Sequence, residues 1–349
     1  MTPLRIAMVA PVAQGVPPTK SGSVETVTAL LTNGLVARGH DVTLFATATS
    51  ATSARLHAIY KHGYHEDTSM WPWEVCELFN LAAAVEDAAS FDLVHYQAEY
   101  SPMSLAYSRI SSRPVLQTLH HAPSVEEVTL WSRYPDAPFV AVSQAQATLL
   151  AGLNVVATIH HAVDAATLAF QAEPDDDLLF LGRFTAGKGV LEAIDVARRT
   201  GHRLILAAAE NDYYRDVVAP LVDGRQIVFA GEVDQAGKTR LLGNARALLY
   251  PVRDAESFGL VLAEAMSCGT PVAALNPGAV PELVDDGVTG RVFASLDALV
   301  AGLADVLALD RRKVRARAMD RFGLDRMVDA HVAVYTELAA RARHAERTA

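Results

Sequence analysis

Glu256 and Glu264 stand eight residues apart near the two ends of a segment whose apolar positions predict a short helix beginning in a loop. Phe258, Val261, Leu262, Ala265 and Met266 fall at the i, i+3, i+4, i+7 spacing of one buried face. Ser257 is a ready N-cap, and Gly269 and Pro271 stop the run. If this run were helical throughout, the two carboxylates would sit roughly 12 Å apart along the axis. That distance is the reach of a nucleoside diphosphate sugar rather than of one water molecule, so the pattern suits ligand clamping better than a carboxylate dyad. The helix N-terminus also turns unsatisfied amides and partial positive charge toward Glu256, which favours a phosphate there. A second pattern lies upstream, where the apolar run Leu178 to Leu181 leads into Gly182-Arg183-Phe-Thr-Ala-Gly187-Lys188-Gly189 and a helix to about Arg199. A guanidinium and an ammonium on a glycine-punctuated loop at a helix start make a cradle for a diphosphate. The third candidate is His120, which follows the buried-strand pattern Val115 to Leu119 directly. Sites in open α/β sheets gather at such strand ends.

These residues need a scaffold, and the remaining pattern supplies one. Arg5 to Pro11 is a short apolar run, Val24 to Arg38 is helical in period, and Asp41 to Thr47 is apolar again, which is a βαβ unit with a parallel sheet. The loop opening that helix, Pro17 to Glu25, contains Gly22, where a bare backbone lets amides approach a phosphate; Ser23 beside it could cap the helix. It is not the dinucleotide Gly-x-Gly-x-x-Gly fingerprint. Strand patterns recur at Leu93 to Gln97, Arg203 to Ala208, Ile227 to Ala230, Ala247 to Tyr250 and Ala273 to Leu275, with helices between. The fold class is therefore α/β. At 349 residues the chain fits two domains, and the polar, proline-containing Ala172 to Asp177 marks the boundary, giving domains 1–172 and 173–324.

Composition narrows the function classes. The net charge of −10 argues against coating nucleic acid, and no apolar run approaches the ~18 to 20 residues needed to span a bilayer. Two cysteines, Cys76 and Cys268, rule out a disulfide framework and point to a reducing cytoplasm. No metal site is expected: His160, His161 and Asp164 lack further ligands at a recognisable spacing, and Asp175 to Asp177 precede a strand as a solvated linker. His121 reads as structural. The basic run Arg311 to Arg321 reads as one face of an exposed helix, so membrane contact is at most peripheral. Trp71-Pro72-Trp73 is either a packed loop or an aromatic platform.

Taken together, the Glu256 to Glu264 segment with its internal Phe-Gly and the Gly-x-Pro after it resembles the Glu-x7-Glu signature of retaining glycosyltransferases of family 4. Gly182-Arg183 with Lys188-Gly189 is similar to that family's diphosphate loop, although Gly187 stands where glutamate is common. The Gly22 loop resembles its Gly-Gly-x-Glu turn with Ser23 for the second glycine, and Ile159 to Asp164 resembles its Asn-Gly-Val-Asp turn with Ala162 for the glycine. The resemblance covers nearly the whole chain. It implies the GT-B architecture: two Rossmann-like domains with parallel sheets facing across a deep cleft, an N-terminal acceptor side and a C-terminal donor side. The last helix, 325–349, would pack back on the first domain. It implies transfer of a sugar from a UDP- or GDP-sugar to a hydroxyl of a sugar, lipid-linked or small-molecule acceptor, without cofactor or metal. Glu256, His120, Arg183 and Lys188 would be catalytic, with Gly22, Ser23, Arg183, Lys188, Ser257, Phe258, Gly259, Leu260 and Glu264 holding the donor. Rival readings are a nucleotide-sugar 2-epimerase of the same architecture, an NAD-dependent Rossmann enzyme and a non-catalytic carbohydrate-binding module.

Overall fold

The apolar runs at Ile6, Val42 and Val94 become neighbouring parallel strands, because strands covered by helices on both faces bury every residue. The computed structural model describes residues 2–98 and 101–348. The chain divides into two units, Met1–Ala162 with Leu324–Ala349 and Val163–Gly323.

The first unit is built on strands β1 (Arg5–Val9), β2 (Asp41–Phe45), β3 (Arg55–His57), β4 (Leu93–Tyr96), β5 (Val115–Thr118), β6 (Phe139–Ala141) and β7 (Val155–Thr158). They are all parallel in the order β3-β2-β1-β4-β5-β6-β7. Ile6, Met8, Leu44, Tyr96 and Leu116 are fully buried between the helical layers. The helix Leu324–Thr348 completes this core with Met327, Val328, Val332 and Tyr335, and runs against Ser23–Ala37. Arg38 fastens the pair by bonding Asp325 and Asp329, each at 2.7 Å.

The second unit carries β8 (Leu178–Leu181), β9 (Leu204–Ala207), β10 (Ile227–Gly231), β11 (Ala247–Tyr250), β12 (Val272–Leu275) and β13 (Gly290–Phe293). Its parallel order is β10-β9-β8-β11-β12-β13. In both sheets the strand order reverses once, between β1 and β4 and between β8 and β11. An open α/β sheet offers its crevice at such a reversal, outside the carboxyl ends of the strands.

Two expectations need correction. The boundary expected after residue 172 falls instead at Val163. The Pro- and Asp-rich stretch is exposed but belongs to the second unit, where Asp175 donates to the Asn244 carbonyl at 2.8 Å and the Arg246 amide donates to the Asp177 carbonyl at 2.8 Å. The basic helix Arg311–Phe322 is a solvated face only in part: Arg312, Lys313 and Arg317 are exposed, whereas Arg311, Arg315 and Arg321 turn inward. Buried Arg311 donates to the carbonyls of Gln171, Ala245 and Gly243 and to the Thr270 hydroxyl, at 2.7 to 2.9 Å. Arg315 reaches the carbonyls of Leu168 and Ser267, and Arg321 those of Leu283 and Glu282. Gly243, Ser267 and Leu283 belong to the last turns of three separate helices. A helix end leaves carbonyls orphaned and carries partial negative charge, so the run clamps three such ends with cations.

Candidate functional site

In the second unit the reversal of strand order places the loop after β8 beside the loop after β11. The first carries Arg183 and Lys188, the second Glu256. Lys188 Nζ donates to Glu256 Oε2 at 2.7 Å, and the Tyr250 hydroxyl, at the end of β11, donates to the same oxygen at 2.5 Å. The ammonium and carboxylate are largely sequestered, with side chains 28% and 12% exposed. Burial alone would raise the Glu256 carboxyl. The charge and hydrogen bond of Lys188 outweigh it, joined by the Tyr250 hydroxyl and the Phe258 amide, so the group is held below its usual range as a carboxylate. Burial first, and then the Glu256 charge, lifts Tyr250 well above its ordinary value and keeps its proton in place.

Close approach explains the glycines of the cradle. Gly189 has φ of +77°, and a Cβ there would lie 2.0 Å from the Pro251 carbonyl oxygen, so only glycine lets the two loops touch. At Gly187, where the resemblance calls for glutamate, the Asp254 carboxylate from the neighbouring loop already fills the space a side chain would take. Thr185 Oγ1 accepts from the Lys188 amide at 3.3 Å and closes the turn. Arg183 is exposed, with no ion pair among the described residues.

The glutamate helix is shorter than its periodicity predicts. It spans Leu260–Ser267, begins after Gly259 at φ +80°, and receives no cap from Ser257. The Glu256 carbonyl is taken by the Ala279 amide at 2.8 Å, so the chain cannot begin a helix there. Glu256 therefore projects from a loop, while Glu264 stays on the helix. Ser257 and Phe258 are buried, Phe258 packing edge-on against Phe322, and the Phe258 amide is spent on the Glu256 carboxylate rather than left for a ligand. Gly259 and Leu260 remain half-exposed. Glu264, 6% exposed, pairs with Lys238 Nζ at 2.5 Å. Lys238 sits on the helix Gln235–Asn244, and no spacing rule links it to a partner 26 residues away.

In the first unit His120 caps the end of β5, as its position after Leu119 predicts. Its Nε2 lies 2.9 Å from Gln97 Oε1 and its Nδ1 3.3 Å from His161 Nε2, with the two imidazoles stacked. His161 and Gln97 were not expected to join it. Their types are those of site residues, but nothing in sequence pairs position 120 with 97 or 161. Burial, followed by the neighbouring His121 and His331, pushes His120 down to about 3; burial likewise holds His161 well below its ordinary range. His121 turns away to Glu127 at 3.1 Å, a structural role. Gly22 packs where a Cβ would meet Gln14 and Glu25, and Ser23 is the exposed first residue of its helix and makes no cap. Of the tryptophan pair, Trp73 packs beside Tyr64 whereas Trp71 is 75% exposed. Among the described residues no group of three or more His, Cys, Asp or Glu could hold a metal ion, and no helix is long and apolar enough to cross a membrane.

With this geometry in place, comparison with known proteins is decisive for the family. The model for Glycosyltransferase Family 4 matches residues 24–167, and that for Glycosyl transferases group 1 matches 169–321. The chain belongs to the family 4 glycosyltransferases. It is similar to a D-inositol 3-phosphate glycosyltransferase of Mycobacterium avium (strain 104), 28% identical over 86% of this chain and 82% of that protein. A phosphatidyl-myo-inositol mannosyltransferase of Mycobacterium leprae (strain TN) is 34% identical over 37% of this chain, a match spanning 36% of that relative. Among solved structures, AviGT4, a glycosyltransferase involved in avilamycin A biosynthesis, shares the fold with TM-score 0.75 at 24% identity, covering 97% of this chain and 98% of its own. Anabaena Alr3699/HepE, solved with UDP and glucose, superposes with TM-score 0.71 at 18% identity over 96% of this chain and all of its own. This enzyme is thus a GT-B glycosyltransferase with two parallel-sheet α/β domains, and the comparisons favour neither the epimerase nor the dehydrogenase reading.

Proposed function

We propose that the enzyme transfers a sugar, with retained configuration and without a resident metal, from a nucleoside-diphosphate donor to a hydroxyl acceptor. The observation that carries this reading is the Lys188–Glu256–Tyr250 contact at the strand-order reversal of the second sheet, where two loops far apart in sequence deliver a cation and an anion to one point. Under this reading Arg183 and Lys188 meet the diphosphate. The glycosidic C–O electron pair leaves with the β-phosphate as the acceptor oxygen forms its bond on the same face, and the acceptor proton passes to the departing phosphate. Charge on those oxygens grows in the transition state, and a preorganised donor there contributes ~3 kcal/mol. Cations fixed in the protein do the work a metal does elsewhere. Glu256 and the Gly259 amide orient the transferred sugar, Glu264, steadied by Lys238, takes the ribose hydroxyls, and the first unit contributes His120 to the sugar and the Gly22–Ser23 loop to the diphosphate. For the acceptor, the exposed Trp71, Val75 and Phe79 of the first unit suit a sugar face or a lipid-linked group. UDP is the first base to try, because Alr3699/HepE was solved with it; GDP is the second.

Glu256→Gln and Lys188→Ala should each depress turnover roughly tenfold or more with the fold intact. Wild-type rates in both would remove the assignment. Thermal shift against UDP, GDP, ADP and NAD identifies the base, since a ligand at a hundredfold excess over its Kd adds ~2.7 kcal/mol.

A further inference from the structure

His95 and Tyr335 take no part in the transfer described above, yet they lie in one hydrogen-bonded chain with the histidine that does. Gln97 Oε1 faces His120 Nε2, and an amide oxygen only accepts, so His120 carries its hydrogen on Nε2 and leaves Nδ1 bare. That bare Nδ1 faces His161 Nε2, which must then supply the hydrogen between them. One amide thus decides two tautomers. The amide is itself held: its nitrogen lies 3.2 Å from the His95 ring nitrogens, and His95 is fixed by the Tyr335 hydroxyl at 2.6 Å and Thr118 Oγ1 at 2.8 Å. Tyr335 comes from the C-terminal helix, 240 residues beyond His95.

We propose that Gln97 is a positioning residue for His120, setting which ring nitrogens of His120 and His161 carry hydrogen, and that Tyr335 anchors the relay through His95. The inference rests on the assignment of His120 to the donor sugar. Among the described residues the titratable groups around His120 and His161 include His121 and His160 on their own loops, His95 on β4, and His331 and Tyr335 on the C-terminal helix. With His120 held near 3 and His331 near 4, His95 and His161 held well below the ordinary range, and Tyr335 held protonated, all by burial, these five buried groups stay neutral at working pH. The sugar then meets a hydrogen-bonding imidazole, and the cations that a diphosphate seeks are left to the second unit.

Ring nitrogen spectra of the full-length, 15N-histidine-labelled enzyme test the relay without any substrate. In the wild type, His120 and His161 should each show hydrogen on Nε2 and neither should titrate from pH 8 to 5. Gln97→Leu should leave His120 a mixture of tautomers and lower kcat about tenfold or more with donor KM unchanged. Gln97→Glu keeps an accepting oxygen and should restore the tautomer, but its charge should bring His120 into the titrating range and make turnover drop with acid where wild type is flat. If Gln97→Leu does not fold, Tyr335→Phe, which removes one hydroxyl, should produce the same spectral change in part. Unchanged ring spectra in the folded variants would overturn the relay. Altered spectra with wild-type turnover would leave the relay standing and overturn the sugar contact of His120.

Discussion

In the first unit the buried polar centre is four imidazoles held uncharged, His95, His120, His161 and His331. In the second it is two carboxylate–ammonium pairs, Lys188–Glu256 and Lys238–Glu264, with the Arg311 guanidinium spread over main-chain oxygens. Neutral groups cost less to bury, so the first unit can pack its network beside Tyr335 with hydrogen bonds alone. Ions need an opposite charge or several oriented dipoles at short range, and the second unit supplies them from loops and helix ends. The lesson is that two sheets of the same winding can carry buried polar centres of opposite electrostatic character. The buried imidazole network and the buried lysine–glutamate pairs are therefore in different halves of the enzyme.

Acid should separate them most. The four imidazoles have native pKa values below the ordinary 6.5, so between that value and about 4 the unfolded chain binds protons that the native unit does not. Stability is then lost as pH falls through this window, by up to ~1.4 kcal/mol per pH unit for each histidine. Glu256 behaves otherwise: its lowered pKa contributes stability above its unfolded value near 4.5, which disappears only under stronger acid. Hydrogen exchange on the intact enzyme at pH 5, corrected for intrinsic rates, should show opening across 93–158 and 324–348 while 178–293 stays protected. Equal loss in both would erase the contrast. Next in size, Arg311→Ala should cost about 3 kcal/mol, because it strands the buried carbonyls of Gly243 and Ala245. Its exchange signature should stay within the second unit, and a loss below ~1 kcal/mol would deny the clamp. The smallest effect belongs to Glu264→Gln, which should weaken the preferred nucleotide about tenfold, or ~1.4 kcal/mol, with little change in kcat. Calorimetry showing unchanged affinity would withdraw its ribose role.

How far these features could be read in advance depended on whether the signal was local. The strands at Ile6, Val42, Leu93, Val115, Leu178 and Ala247 announce themselves because buried parallel strands are continuous apolar runs. Strands β6, β7 and β13 did not, being three or four residues long and, at β7 and β13, only half-buried. Arg183, Lys188 and Glu256 stood out because glycines and strand ends bracket them. Lys238, Gln97, His161 and Tyr335 carry no such punctuation, and their partners are 23 to 240 residues away. The start of the glutamate helix was misread because apolar spacing continues through Phe258, whereas the backbone turns at Gly259. Within the basic run Arg312, Lys313 and Arg317 do face water, but Arg311, Arg315 and Arg321 were misread, because a guanidinium bonding carbonyls looks, in sequence, like one facing water.

The return of Leu324–Thr348 to the first unit also fixes the order in which this enzyme can be completed. A ribosome that has released residue 323 has made every strand of both sheets, but only the second unit then has all its parts. The half synthesised first still lacks Val328, Val332 and Tyr335 from its interior, and so it is finished last. Any fusion or truncation at the C-terminus therefore acts first on the N-terminal half.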